Sequence, residues 1–247
     1  VYADGALGSR GAVLQEPYSD QAGHYGKMLL SVDDFKNIAQ KVADSEYQMN
    51  THAIGDSANA VVLRTYDKLL KDKPNRRWRV EHAQVLDASL YDYFSKNVIP
   101  SVQPTHATSD MYWVEDRLGE KRTKHAYAYK KLLDKAGILP LGTDFPVEEV
   151  NPLLTFYAAV SRQDKSGYPE DGFQPENAIS RKEALIGMTR SAAYANFEEE
   201  VKGSLEVGKY ADFVVFDQDL MQIPMKEIPE LKVNATYLDG KRVYSRK

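Results

Sequence analysis

The sequence predicts an α/β protein of parallel strands joined by helical crossovers, followed by a short β-tail. Three observations carry that expectation. Short β-branched or apolar runs alternate with amphipathic stretches at helical spacing as far as about Phe197. Beyond Phe197 the rhythm changes to strand, tight turn, strand. Two histidines and an aspartate stand at the ends of strand-like runs, in Thr51-His52-Ala53, Glu81-His82-Ala83 and Leu141-Gly142-Thr143-Asp144. Imidazoles and a carboxylate brought together at successive strand ends can hold a divalent ion such as zinc, which activates water near neutral pH.

In chain order, Phe35, Ile38, Ala39 and Val42 recur at helical spacing and predict a helix over Ser31 to Ser45. A strand over Tyr47 to His52 follows, then a helix from about Ser57 to Lys71 that carries Val61, Val62, Leu69 and Leu70. Next come a strand Arg77 to Ala83, a helix Ala88 to Lys96, and a strand Val98 to Gln103. The region from Asp110 to Ala136 reads as mostly helical, and Ile138 to Thr143 as a buried strand ending at Asp144. Helices are expected near Pro152 to Ser161 and over Arg181 to Phe197. The second opens with Ser180 and Glu183 in capping-box spacing. In the tail, Ser204 to Asp217 reads as strand, Gly turn and second strand, and Val233 to Tyr244 as a hairpin turning at Asp239-Gly240. So small a β-unit needs strands from elsewhere to pack against.

A length of 247 residues suits one large α/β domain or two small ones. The net charge of -4 provides no basic stripe for a phosphate backbone, which argues against nucleic acid and for a small-molecule substrate. No apolar stretch reaches the roughly 18 residues of a membrane helix. The chain opens on Val1 without an initiator Met, so the compartment is open, with cytoplasmic the leaning. There are no cysteines, which excludes disulfides, thiolate ligands and a Cys nucleophile. Any metal site must use nitrogen and oxygen.

Each candidate also has a plain structural reading. A lone His after a strand is commonly a hydrogen-bonded core or loop residue, and Asp144 can simply cap the turn before Pro146. The matching order of His52, His82 and Asp144 favours ligation. His106, after Pro104, either donates to a substrate carbonyl or fixes its loop. Arg10, in the Gly-rich turn Asp4 to Arg10, is available to a substrate carboxylate. Gln84 is expected to support the loop of His82, and the stretch Asp110-Met111-Tyr112-Trp113 to form either an apolar pocket wall or core. His24 and His125 have no assigned role.

The runs Asp4-Gly5-Ala6-Leu7-Gly8-Ser9-Arg10-Gly11-Ala12, Thr51-His52-Ala53-Ile54-Gly55-Asp56, Val80-Glu81-His82-Ala83-Gln84, Ser101-Val102-Gln103-Pro104-Thr105-His106 and Gly142-Thr143-Asp144-Phe145-Pro146-Val147 resemble the amidohydrolase superfamily. They are most similar to its family 3, or YtcJ-like, branch. The stretch Gly203 to Phe213 is similar to the segment where such enzymes leave their barrel for a β-sandwich. The resemblance implies a distorted (β/α)8 barrel with metal ligands at the C-terminal strand ends. His52 would end the fifth strand, His82 the sixth and Asp144 the eighth, with Asp144 both ligand and general base. One or two ions, expected to be zinc, are implied.

The family also supplies a His-x-His from the first strand and often a bridging Lys or Glu from the fourth, and neither is present. The sequence is therefore expected to be a C-terminal half. Residues 1–199 would form about strands 5 to 8 of the barrel and residues 200–247 part of the sandwich. The expected partner is the missing N-terminal half, or a second copy covering the open strand edges. The activity implied is hydrolysis of a non-peptide C–N bond, amide or cyclic amide. A deaminase or isomerase of the same superfamily and a catalytically inactive binding module are the alternatives, and an upstream His-x-His separates an enzyme from a dead module.

Overall fold

The computed structural model describes residues 1–247 and contains two three-stranded sheets. The first is parallel, in the order β1 (Asn50–Ala53), β2 (Trp78–His82) and β3 (Val98–Ser101). Isolated parallel bridges, Tyr2 to His52 and Val102 to Leu141, add one track at each side. The result is an open arc of five parallel tracks whose outer two have a neighbour on one side only.

Register explains the faces of this arc. Asn50 lies opposite Arg79 and His52 opposite Glu81, while Thr51 lies opposite Val80. Side chains alternate along a strand, so Asn50, His52, Arg79 and Glu81 share a polar face. Thr51, Ala53, Trp78 and Val80 share the other, and all four are buried. Helix α1 (Val32–Ala43) packs on α2 (Asp56–Leu70), and α2 packs on the arc. Gly55 precedes α2 because the chain passes Val13 there, and a Cβ would lie 2.0 Å from the Val13 carbonyl oxygen.

Several predicted elements are realised in altered form. Ala88–Tyr93 is a 3-10 helix opened by Asp87, whose carboxylate accepts from the Ser89 N–H. The stretch from Asp110 to Ala136 is broken into the end of α3 (Pro104–Asp110), α4 (Val114–Thr123) and α5 (Tyr129–Ala136). Left-handed Gly119 kinks α4, and left-handed Tyr127 separates it from α5. Ile138 to Thr143 forms no full strand, only the Leu141 bridge, since it stands at the side of the arc with β3 as its one neighbour. Helix α6 (Pro152–Ser161) has the predicted bounds. Over Arg181 to Phe197 the helix is divided into α7 (Arg181–Ile186), a π-helical turn Gly187–Ser191, and α8 (Ala192–Ala195). The Ser180–Glu183 capping box forms as expected.

The second sheet is antiparallel, β4 (Phe213–Phe216), β5 (Val233–Leu238) and β6 (Lys241–Ser245), in that order. Asp239 and Gly240 make the two-residue hairpin turn, both with positive φ (50° and 72°), the conformation such turns require. Ser204 to Val207 is not a strand: Gly203 turns left-handed before it, and the Lys209 N–H bonds back to the Glu206 carbonyl. The link into this sheet is anchored by buried Ile223, Ile228 and Leu231, and by Arg181, which donates to the carbonyls of Leu220 (2.7 Å) and Ile223 (2.5 Å).

Candidate metal centre

His52 is the third residue of β1 and His82 the last of β2. Strict alternation would turn His82 away from the polar face, since it pairs with buried Ala53. Left-handed φ values at His82 (72°) and Ala83 (44°) break the alternation, and the two imidazoles stand 4.5 Å apart, edge to face. Such conformations cost of order 1–3 kcal/mol each and persist where surrounding structure enforces them. Asp144, third of the sequence-predicted ligands, is also left-handed (φ 59°).

His106 sits in the first turn of α3, directly after β3, with its ring 5.6 Å from that of His82. Its Nε2 lies 3.1 Å from Asp144 Oδ2 and its Nδ1 2.9 Å from Glu148 Oε1, while Ser109 Oγ donates to the same Glu148 oxygen. Burial draws the His106 imidazole down, but the hydrogen bonds to Asp144 and Glu148 outweigh it and hold the group up at about 9. His82 is pushed down to about 3 by burial and by the neighbouring His52 and His106. Asp144 is held low, first by its hydrogen bond to His106, so it is ionised at neutral pH. Glu148 is also low: burial raises it, but His106 and Ser109 more than compensate.

One ligand nitrogen or oxygen from each of His82, His106 and Asp144 lies within 4.8 Å of the others. Ligands on opposite sides of one zinc ion are about 4.4 Å apart at most, so His82 and Asp144 need only a small inward movement to close on an ion, while His106, with both ring nitrogens on carboxylates, positions Asp144. His52 stands beside the trio, its Nδ1 3.6 Å from buried Asp4. The Nδ1 atoms of His52 and His82 are buried without hydrogen-bond partners. Two imidazoles with an orphaned nitrogen each, lining a cavity that carboxylates also line, with no thiolate nearby, suit a divalent ion with nitrogen and oxygen ligands.

These groups line one cavity of about 710 Å³. The structure thus brings His52, His82, His106 and Asp144 together, and it adds Glu148, which the sequence does not single out, and Asp110, which the sequence offers only within an apolar pocket wall. Arg10 is not brought in: its guanidinium grips Asp20 through Nε (3.0 Å) and Nη2 (2.7 Å), away from the cavity lining. Gln84, two residues past His82, bonds Asp110 and Tyr127 through its side-chain amide. Trp113 lines the cavity, whereas Tyr112 is exposed and hydrogen-bonds Asp164. His24 bonds the Arg10 carbonyl.

Asp4 was also missed as a support. Its buried carboxylate accepts from the N–H groups of Val13, Ile54 and Gly55, which fixes the loop after His52. The one available signal was its place at the start of the Gly-rich turn.

A sequence profile of the amidohydrolase family matches residues 1–244. The chain is 34% identical over 249 residues to YtcJ of Bacillus subtilis (strain 168), a protein itself named only provisionally as an amidohydrolase; the match covers 100% of this chain and 46% of YtcJ. It is 25% identical over 226 residues to N-substituted formamide deformylase of Arthrobacter pascens, covering 90% of this chain and 41% of that enzyme. Among solved structures, an uncharacterized metal-dependent hydrolase from Pyrococcus horikoshii OT3 superposes with a TM-score of 0.79 at 30% identity, covering 91% of this chain and 45% of that one. The chain spans less than half the length of these relatives. No helix is long and apolar enough to cross a membrane. With a profile match along nearly its whole length and a cluster suited to a divalent ion, the chain belongs to the amidohydrolase family.

Proposed function

We propose that these residues form the second half of a metal-dependent amidohydrolase barrel that hydrolyses an amide or cyclic amide C–N bond of a small molecule. Residues 1–199 supply about strands 5 to 8, and residues 200–247 supply part of a composite β-sandwich. The observation that carries this reading is the convergence of His52, His82, His106 and Asp144 at one end of the parallel arc, with two imidazole nitrogens lacking partners. The open sides of the arc, and relatives more than twice as long, support a centre completed by polypeptide outside these residues, with a second copy as the other candidate cover.

A bound divalent ion, zinc by preference for this donor set, supplies Lewis acidity toward water and the scissile carbonyl. The chain's own groups handle the protons. Asp144, ionised at neutral pH and exposed over 36% of its side chain, takes a proton from the attacking water as the water oxygen bonds to the carbonyl carbon. It returns that proton to the nitrogen as the C–N bond breaks, giving a carboxylic acid and an amine, and the acid's proton then passes to the amine, so the products leave as carboxylate and ammonium. His106, hydrogen-bonded to Asp144 and Glu148, keeps the carboxylate oriented.

The deformylase relative makes N-substituted formamides the first substrates to try. The complete natural polypeptide, loaded with zinc, is expected to release formate from at least one N-alkyl formamide, to lose that activity to a chelator and to regain it with metal. Asp144→Asn is expected to lower kcat at least ~100-fold. If no panel of formamides, amides and cyclic amides gave chelator-sensitive hydrolysis, the reading would fail.

A further inference from the structure

We infer that the cavity accepts ligands bearing a cationic nitrogen, an ammonium or amidinium group, and that Asp110 is the residue that reads it. This deepens the hydrolase reading by naming a substrate class for the same cavity. Four carboxylates line the cavity: Glu81, Asp110, Asp144 and Glu148. Three have a cationic or imidazole partner within hydrogen-bonding distance: Glu81 has Arg79 at 2.8 Å, and Asp144 and Glu148 share His106 at 3.1 and 2.9 Å. Asp110 has none. Both ring nitrogens of its nearest imidazole, His106, are turned to the other two acids.

The side chain is nevertheless fixed in place. Buried Tyr127 donates its hydroxyl to Oδ2 at 2.7 Å, and the amide of buried Gln84 reaches the same oxygen at 3.3 Å. Oδ1 is left with Ser109 Oγ alone, at the outer limit of a hydrogen bond (3.5 Å). A carboxylate with one oxygen held by two neutral donors, and only the through-space charge of His106, already hydrogen-bonded to two other acids, to balance it, is undercompensated as burial removes its water. Burial accordingly pushes Asp110 up to about 6, even with the Tyr127 bond pulling the other way. A cationic N–H donor arriving through the cavity would supply both the charge and the hydrogen bond.

Position sets the shape of such a ligand. Asp110 is four residues after His106 on α3, so the two project from the same helix face about one turn, ~6 Å, apart. Trp113 and Leu7 line the cavity as well and supply apolar surface. The fitting substrate carries its cationic group a few bonds from the scissile carbonyl, beside an apolar segment. The competing explanation is that Asp110 only ties α3 to Tyr127.

The test is binding by titration calorimetry to the complete zinc-loaded polypeptide, with benzamidinium and its neutral isostere benzamide as probes. Benzamidine stays protonated at neutral pH and so does not compete as a metal ligand. Asp110→Asn is isosteric and keeps an oxygen for Tyr127. It is expected to weaken benzamidinium ~10- to 100-fold, the loss typical of a charged hydrogen bond, while benzamide stays within ~3-fold. Asp110→Glu is expected to retain most of the benzamidinium affinity. Equal losses for both probes would assign Asp110 a structural role, and an unchanged benzamidinium affinity would assign cation binding elsewhere. Either result overturns the inference. Because binding is read without turnover, absence of hydrolysis would count against the reaction assignment alone.

Discussion

The two sheets are built from similar apolar residues but live in opposite surroundings. In the parallel arc one face is sealed by helices, with Trp78 and Val80 wholly buried, and the other is polar and meets at the imidazole cluster. In the antiparallel sheet the neighbouring residues Val214 and Val215 point to opposite faces, yet both are exposed, and every residue of β6 is exposed. Its side-chain gains are local, as in the stacked pair Phe213 and Tyr237 at 4.5 Å. Burial on folding is the dominant stabilising term. Within these residues, therefore, stability resides in the arc and its helices, while the tail holds its register mainly by its own ladder and turn.

The sharpest way to break this comparison is to cut equal side chains from both regions. Phe156→Ala, in buried α6, is expected to cost about 3–5 kcal/mol in urea unfolding. Phe213→Ala in β4 is expected to cost about 1 kcal/mol, mainly the lost aromatic pair. Equal costs would mean that the tail is as well packed as the body. Metal comes next. Zinc at about 100 times its Kd should stabilise the complete polypeptide by about 2.7 kcal/mol, read as a rise in melting temperature that a chelator reverses. His82→Ala should abolish most of that rise, whereas Phe213→Ala should leave it intact.

The pH profile of the metal-free protein sharpens the comparison further. His106, raised from 6.5 to about 9, contributes stability that is full below about 6.5 and is lost as pH climbs toward 9. His82 acts in the other sense. It is neutral when folded and lowered to about 3, so the unfolded chain takes up its proton first, and stability falls as pH drops below 6.5. Asp144 and Glu148, both held low, steepen the acid limb as they are protonated. Stability should therefore peak near neutrality. His106→Gln should flatten the alkaline limb by roughly 1 to 3 kcal/mol, measured by urea melts at several pH values. Tail variants should leave the profile's shape unchanged. The smallest effect is expected from Gly240→Ala, where a left-handed turn position gains a Cβ; a cost of about 1 kcal/mol, with β6 amides exchanging faster, would confirm that the turn sets the register.

The strand-end histidines were legible in the sequence because a polar, ligand-capable residue closing an apolar run is unusual, and because His52, His82 and Asp144 recur in the same setting. His106 was half legible: its place after Pro104 was clear, but not that its ring would sit between Asp144 and Glu148. Glu148 lay hidden in an acidic pair with Glu149, and nothing local separates the one that turns inward. Asp110, Tyr127 and Gln84 come from three separate segments, so only the folded chain assembles their network. The expected strand at Ser204 to Val207 failed for the complementary reason. Its composition suits a strand, but no neighbour pairs with it.

Asp4 has a further consequence, for the order in which the molecule forms. Its carboxylate is satisfied by the backbone of Ile54 and Gly55, 50 and 51 residues along the chain. The cluster it steadies draws on His52, His82, His106 and Asp144, each from a different segment. Closing loops of this size costs entropy before any contact returns it, and parallel pairing is slow for the same reason. A partly folded chain thus has no half-made centre in which to trap an ion. On the proposed reading, uptake of a divalent ion would report that the last long-range closures have been made, and a variant that took it up normally would have completed its topology.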